Sequence, residues 1–338
     1  MARRNIALTT AKMAASVIEN SRAMERIEQD GYTRVDPFRV ADSEGISVAL
    51  RPLDKLLGAF IRDQQSGILL NSARSAGLIH MTCAHELGHY FMGHDTTADE
   101  TIEYGSKAAE MEQEADAFGH HLLVPRALLM NICRRKGWNL KSIQDPFNLY
   151  QLSLRLGVSY AAAAWSLMRH DYIDYDAVQR LLKTQPASIK QSLLKSPLPD
   201  STKEVWVFDE RDQSSVLEPR PDDHLIIRLK SHASAGYLWL ADSSDQVKAE
   251  GFTLQPAPNA PVDPRTLTFG AETSMDYLLT GASDNFTDPH VVALAEVRPW
   301  ERKQPGDASY VSKAHFEPIA EGLTRESKKA LIKEVLNS

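Results

Sequence analysis

The chain has 338 residues, of which 43% are hydrophobic and 25% are charged, and its formal net charge is −7. This composition is typical of a globular protein, and the negative net charge argues against general electrostatic binding to nucleic acid. No apolar run approaches the roughly 20 residues that a membrane-spanning helix needs, and the N-terminus lacks a signal-peptide core. Cys83 and Cys133 are the only cysteines. We therefore expect a cytoplasmic protein without a structural disulfide.

The first 75 residues predict helices followed by a small sheet. Apolar residues at helical spacing predict a helix over residues 9–30. Alternating apolar and polar residues then predict three short strands, at residues 46–50, 57–62 and 67–71. A mostly apolar stretch follows and predicts a buried helix over about residues 75–93.

This buried helix carries the motif His85-Glu86-Leu87-Gly88-His89, which has the pattern H-E-x-x-H. Residues four apart lie on the same face of a helix, so His85 and His89 can bind one Zn²⁺ side by side. Glu86 follows the first histidine directly and would act as general base on a water, then pass the proton to the leaving amine. The motif predicts a zinc peptidase, although two histidines in a buried helix could also be hydrogen-bonded core residues.

A second helix, predicted over about residues 106–123, can supply the third ligand that a catalytic zinc site needs. Glu112 and Asp116 are four residues apart and share a helix face. If Glu112 binds the metal, Asp116 can orient a ligand histidine from behind. Glu114 is the alternative third ligand, and a solvated acidic face is the alternative to both.

A histidine downstream of the motif is a further possible ligand. Enzymes with the longer pattern H-E-x-x-H-x-x-G-x-x-H have a glycine three residues, and a ligand six residues, after the second histidine. Here Gly93 and His94 follow His89 by four and five residues. The spacing does not fit, so we expect His94 to lie in a loop at the rim of the site, where it could touch substrate.

Over about residues 30–175, the order and spacing of several segments resemble the ImmA/IrrE family of zinc metallopeptidases. The matching segments are Val35-Asp36-Pro37, Gly45-Ile46-Ser47-Val48, Gly67-Ile68-Leu69-Leu70-Asn71, Ala84-His85-Glu86-Leu87-Gly88-His89, Glu112-x-x-Ala115-Asp116-x-Phe118 and Leu122-Leu123-Val124-Pro125. The resemblance implies a cytoplasmic peptidase that cleaves a helix-turn-helix repressor. Asp116 stands where the family often has Asn, a change that keeps a hydrogen-bond acceptor.

Residues 126–196 are predicted to be helical, and residues 152–173 have a helix-turn-helix pattern. The second helix of that pattern begins with Tyr160 and four alanines rather than with basic or amide side chains. DNA-reading helices need such side chains. We therefore expect a helical extension that supports the peptidase, and direct nucleic-acid binding is unlikely on this pattern.

After the proline-rich linker at residues 196–201, the pattern becomes all-β. Strands are predicted at residues 205–208, 224–229, 237–240, 277–280 and 291–297. The charged, amphipathic tail at residues 324–337 predicts a final helix. This pattern favours a β-sandwich over residues 200–320.

The β region resembles chagasin-type cysteine-protease inhibitors over about residues 203–316. Residues 231–239, which include Gly236, Tyr237 and Trp239, resemble the first binding loop of that family, and Arg298-Pro299-Trp300 resembles the third. Phe269–Glu272 lies where the second loop would be. The family's first loop has Asn-Pro-Thr-Thr before the glycine, whereas this chain has His-Ala-Ser-Ala. We therefore expect weak inhibition of papain-like proteases or none, and a role for these loops in protein recognition. The alternative is that Gly236, Tyr237, Trp239 and Trp300 only build a turn and a core.

The expected fold is α+β. A zincin-like metallopeptidase core (1–125) with a helical extension (126–199) precedes an immunoglobulin-like β-sandwich (200–320) and a C-terminal helix (321–338). The expected function is zinc-dependent cleavage of a regulatory protein such as a transcriptional repressor, with Zn²⁺ as cofactor. The alternative is a non-catalytic binding or sensor protein that uses the β domain to bind a protease or regulator.

Overall fold

The computed structural model describes residues 2–63, 65–95, 97–99, 110–195, 200, 202–232, 235–241, 252–257, 273–281, 286–298, 300 and 309–337. In these residues the helices are α1 (Ala2–Asn20), α2 (Ala23–Gln29), α3 (Pro37–Ser43), α4 (Ala76–Met92), α5 (Glu110–Leu123), α6 (Arg126–Lys136), α7 (Pro146–Leu156), α8 (Tyr160–Arg169), α9 (Tyr175–Leu182), α10 (Pro186–Leu194) and α11 (Arg325–Asn337). The strands are β1 (Ser47–Arg51), β2 (Gly58–Ile61), β3 (Gly67–Asn71), β4 (Thr97–Asp99), β5 (Val205–Asp209), β6 (Val216–Leu217), β7 (His224–Ser231), β8 (Leu238–Ala241), β9 (Phe252–Pro256), β10 (Thr273–Gly281), β11 (His290–Val297), β12 (Ser309–Ala314) and β13 (Gly322–Leu323).

The predicted α+β class is confirmed, with helices dominating the N-terminal part and strands the C-terminal part. The chain divides into two units. Unit 1 comprises Met1–Arg134, Trp138–Lys183 and Ile319–Ser338, and unit 2 comprises Arg135–Gly137 and Thr184–Pro318. No helix in the described part of the chain is long and apolar enough to cross a membrane.

One predicted helix differs from the structure. Residues 9–30 form not one helix but parts of two, α1 and α2, because Arg22 adopts a left-handed conformation with φ 54°. This break turns the chain before α2 begins. A left-handed residue cannot continue a right-handed helix.

The sheet of unit 1 has the order β13-β1-β3-β2-β4. Strands β1 and β3 are parallel, and the other neighbours are antiparallel. The motif helix α4 packs over β2 and β3, so the sheet and the apolar side of α4 share one core. Its fully buried members include Phe60, Leu70, Met81 and Leu87.

The last strand and helix of the chain belong to unit 1. Strand β13 pairs with β1 and so covers that edge of the sheet, and helix α11 packs against α3. Buried Ser327 accepts a hydrogen bond at its Oγ from the backbone N–H of Val48, at 2.8 Å. The N-terminal and C-terminal parts of the sequence therefore form one folding unit.

Unit 2 contains two four-stranded sheets, with the orders β5-β7-β10-β9 and β6-β12-β11-β8. Tyr277 on β10 donates a hydrogen bond from its hydroxyl to the carbonyl of Trp239 on β8, at 3.0 Å, which links the two sheets. The buried ammonium of Lys136 lies 2.7 Å from a carboxylate oxygen of Asp209 and 2.8 Å from one of Asp212. The positive charge of Lys136 is therefore buried beside two negatively charged carboxylates.

Neither Cys83 nor Cys133 forms a disulfide bond. Cys83 is buried in the motif helix, and burial raises the pKa of the Cys133 thiol to about 11. A thiol with such a pKa is almost entirely protonated at neutral pH and is a poor nucleophile.

Candidate metal centre

The motif side chains lie in the buried middle of α4. His85 is 2% exposed, and both Glu86 and His89 are 0% exposed. The Nε2 atoms of the two histidines approach to 3.1 Å, so their lone pairs point towards the same space. Helical spacing of four residues brings the rings together, as the sequence predicts.

Helix α5 is brought to this site by very close packing against α4. A Cβ placed on Gly88 would lie 2.7 Å from the Cα of Ala115, and one on Gly119 would lie 3.3 Å from the backbone nitrogen of His85. Larger residues at these two glycines would push the helices apart. The close crossing places the first turn of α5, and with it Glu112, beside the two histidines.

Glu112 completes a group of three donors. Its carboxylate oxygens lie 3.2 Å from His85 Nε2 and 3.6 Å from His89 Nε2. The ligand atoms of the three residues all lie within 4.8 Å of one another, close enough to bind a metal ion. The hydrogen bond with His85 is the main influence that lowers the pKa of Glu112, so this carboxylate is ionised near neutral pH.

This donor set fits zinc. Two imidazole nitrogens and one carboxylate are a set that catalytic zinc sites use, with a fourth position left for water or substrate. Two ligands of a tetrahedral zinc ion, each about 2.05 Å from the metal, are separated by about 3.3 Å. The separations of 3.1–3.6 Å between the donor atoms here match that value.

Glu86 lies against strand β2 at Gly58. A Cβ on Gly58 would lie 2.9 Å from Glu86 Oε1 and 2.5 Å from the methyl group of Thr82. Only glycine lets this strand pass so close to the carboxylate. Gly58 is not among the predicted site residues, since nothing local to the strand indicates which side chains pack against it.

Asp116 lies one turn after Glu112 and is buried. It accepts a hydrogen bond from Arg169 on α8 at 3.1 Å, and its other oxygen lies 3.8 Å from His120 Nε2. Burial raises the pKa of Asp116, while the Arg169 guanidinium opposes that shift. Helix α8 thus contributes a charge to the surroundings of the site. The predicted role of Asp116 in orienting a ligand histidine stays a prediction.

Glu114 and His94 occupy positions that the sequence did not indicate. His94 is only 8% exposed and lies behind the second motif histidine, with its Nδ1 atom 2.9 Å from His89 Nδ1. The expected place of His94 at the rim is therefore wrong. Glu114 Oε2 lies 3.1 Å from His94 Nε2, on the side away from His89. The signal that could have placed His94 is Gly93, which ends α4 with φ 78° and turns the chain back.

The predicted binding residues of unit 2 are partly described. Trp300 is 70% exposed and its ring covers Gly236, where a Cβ would lie 2.5 Å from the indole. The Arg298 guanidinium lies 4.5 Å from the centre of the Tyr237 ring. Trp239 is instead buried and donates from its indole nitrogen to the carbonyl of Lys230, at 2.7 Å. Residues 233–234, 269–272 and 299 lie outside the described residues.

Residues 41–168 match the model of the peptidase family described as IrrE N-terminal-like domain. The recognition of that family in the N-terminal part of the sequence is thereby confirmed. The matched range contains all three candidate metal ligands and Glu86. No curated protein matches the chain.

Two solved structures are similar to part of the chain. One is the cysteine protease inhibitor EhICP2 from Entamoeba histolytica, with 18% identity over 34% of this chain and 97% of that one, and a TM-score of 0.26. The other is the solution structure of amebosin, with 18% identity over 34% of this chain and 98% of that one, and a TM-score of 0.24.

Proposed function

We propose that this protein is a zinc-dependent endopeptidase. One observation carries the proposal: two imidazole nitrogens and an ionised carboxylate meet within 3.1–3.6 Å, next to a buried glutamate. The match of residues 41–168 to a peptidase family supports the same reading. His85, His89 and Glu112 would hold the ion.

The chain's own residues supply the acid–base chemistry. A bound zinc ion would act as a Lewis acid on a peptide carbonyl and would make water acidic enough to deprotonate near neutral pH. Glu86 would take the proton from water and deliver it to the amine of the leaving peptide. Its burial beside Gly58 holds the carboxylate in one place, which favours proton transfer over exchange with solvent.

An extended substrate can be held by the sheet of unit 1. Strand β13 covers β1 at one edge, and among the described strands β4 forms the other edge. Strand β4 pairs with β2, whose Gly58 lies against Glu86. Backbone hydrogen bonds to an open edge strand bind peptides without requiring a particular sequence. We propose that the scissile segment adds to β4.

For the substrate we propose a regulatory protein of the cytoplasm, such as a helix-turn-helix repressor. This follows from the resemblance of residues 30–175 to the ImmA/IrrE family. Unit 2 would recognise that protein or a partner of it. Trp300 supports this role, since a large, exposed, rigid aromatic ring over a glycine is a typical binding anchor.

The test compares metal content and cleavage in matched variants of the full chain. We expect about one zinc per chain in the wild type, loss of zinc in His85→Ala and His89→Ala, and retention of zinc in Glu86→Gln. Cleavage in Glu86→Gln should fall by roughly 10²–10⁴-fold, the usual contribution of a general base. Substrates are identified by comparing proteomes of cells that express the wild type or Glu86→Gln.

The alternative is a binding or sensor protein that acts through the surface of unit 2 around Trp300, which the exposure of that side chain favours. The same experiment separates the two functions. If Glu86→Gln kept full biological activity and Trp300→Ala lost it, the binding function would be supported and the peptidase function rejected.

A further inference from the structure

We propose that His94 and Glu114 are positioning residues, which hold His89 in the one tautomer that can bind the metal. The inference rests on the proposed function, because it assigns His89 Nε2 to the metal. Its basis is a chain of short contacts that runs from His89 through His94 to Glu114, all on unit 1.

The backbone places His94 for this task. Gly93 ends α4 in the left-handed conformation, and the N–H of His94 then donates to the carbonyl of His89, at 2.9 Å. The carbonyl of His94 in turn accepts from Arg62 Nε, also at 2.9 Å. This turn is a Schellman motif, in which the residue after the glycine returns to the last turn of its helix. The imidazole of His94 is thereby fixed behind the ring of His89.

A metal bound at His89 Nε2 would determine where the protons of this chain of contacts lie. His89 Nε2 faces His85 and Glu112, so it must be unprotonated to bind a metal, and the proton of the neutral ring then lies on Nδ1. That N–H donates to His94 Nδ1, at 2.9 Å. A neutral His94 carries its own proton on Nε2 and donates it to the Glu114 carboxylate, at 3.1 Å. In this arrangement each of the four ring nitrogens of His89 and His94 either binds the metal, donates a hydrogen bond or accepts one.

The same geometry distinguishes the two candidate glutamates. Glu112 contacts the metal-facing nitrogens of both motif histidines, whereas Glu114 contacts the far nitrogen of His94. Glu114 therefore acts through two rings, rather than as the alternative third ligand. Groups that orient a metal-bound histidine typically change affinity or activity by about 10–100-fold when removed.

The test measures zinc affinity of the full chain by competition with a chelator. We expect His94→Ala to weaken zinc binding by about 10–100-fold. His94→Gln should recover most of the affinity, because its side-chain oxygen can accept the Nδ1–H of His89. Glu114→Ala should weaken binding less than Glu112→Ala, but more than Glu110→Ala. Glu110 is exposed one turn before Glu114 on α5 and serves as the matched control for lost charge.

A second readout follows the tautomer directly. Nitrogen-15 chemical shifts of the His89 ring in the zinc-loaded protein should show a protonated Nδ1 in the wild type. In the metal-free protein, the fraction protonated at Nδ1 should be high in the wild type and in His94→Gln, and lower in His94→Ala. A role in packing alone would leave this ratio unchanged.

The outcomes separate the two proposals. Absence of zinc binding in the wild type, or equal binding in His85→Ala, would overturn the proposed function itself. Wild-type affinity and an unchanged tautomer ratio in His94→Ala, in a protein that binds zinc through His85, would overturn only the role of His94. If His94→Ala does not fold, the zinc affinity of Glu114→Ala is the deciding measurement. A zinc affinity of Glu114→Ala equal to that of Glu110→Ala would overturn the inference.

Discussion

The candidate metal centre of unit 1 and the exposed surface around Trp300 in unit 2 are built in opposite ways. In unit 1 the two motif histidines and Glu86 are buried, and the half-buried Glu112 lies 3.2 and 3.6 Å from the histidines. In unit 2, Trp300 is 70% exposed and lies over Gly236. The first arrangement depends on the packing of two helices, and the second on a loop and one large side chain.

This difference indicates what each region can do. Metal binding and proton transfer require groups held within a fraction of an ångström, which close helix packing provides. Recognition of another protein requires exposed surface that gains contacts only when the partner arrives. A substitution where α4 and α5 cross should therefore affect stability and metal binding together, whereas one at Trp300 should affect binding of a partner alone.

The largest effect is expected from Gly88→Val, which breaks the helix crossing. The added side chain would meet the backbone of Ala115, where no rotamer can relieve the clash. We expect the free energy of unfolding to fall by about 3 kcal/mol or more, with loss of zinc binding. Chemical denaturation and metal analysis measure both.

The matched control for this variant is Gly67→Val on β3, where the nearest atom to an added Cβ is 3.7 Å away. That variant should retain zinc. Equal stability and equal zinc content in the two valine variants would show that close helix packing does not hold the site together.

A smaller effect is expected from Ser327→Ala in the C-terminal segment. It leaves the buried N–H of Val48 without its acceptor, which costs about 1–3 kcal/mol. The measurement is thermal unfolding of the full chain, compared with Lys328→Ala, an exposed position on the same helix. No difference between the two would argue that the tail does not support the sheet of unit 1.

Acid should destabilise unit 1 through the histidines of α5. Burial lowers the pKa of His121 to about 4, and it also lowers the pKa of His120 well below its usual value. Between pH 6.5 and 4 the unfolded chain then binds more protons than the folded one. The stabilising contribution is therefore complete above pH 6.5 and is lost as the pH falls towards 4.

This pH dependence is measured as the unfolding temperature against pH. Relative to the wild type, His121→Gln should flatten the slope between pH 6.5 and 4, because it removes a side chain that the unfolded chain protonates more readily than the folded one. An unchanged slope in His121→Gln would remove His121 as a source of the acid sensitivity.

The smallest effect on stability is expected from Trp300→Ala. An exposed side chain away from the core usually changes the free energy of unfolding by less than about 0.5 kcal/mol. Binding of the partner or substrate should fall by about 2 kcal/mol or more if the ring is an anchor. Unchanged binding, measured by calorimetry with a substrate found in the proteome comparison, would remove the recognition role of this residue.

Much of unit 1 could be predicted from the sequence because its signals are local. Helix α4 runs from Ala76 to Met92, close to the predicted 75–93, since apolar spacing and a terminal glycine are properties of adjacent residues. The same holds for four of the five predicted strands of the β region, which appear with small changes at their ends, while the predicted strand 277–280 is only part of β10. Strands β6, β9 and β12 were not predicted. The spacing of His85 and His89 likewise determines that their rings share a face.

What the sequence left open concerns residues far apart in the chain. It offered Glu112 and Glu114 as third ligand, and the crossing at Gly88 and Ala115 decides which one reaches the two histidines. Helical periodicity predicted α11, but its place in unit 1 depends on the pairing of β13 with β1, across more than 250 residues of chain. His94 lies behind His89 because a left-handed glycine reverses the chain into a space that the packed helices create. Local patterns determine which elements form, whereas distances between side chains on different elements are set by packing.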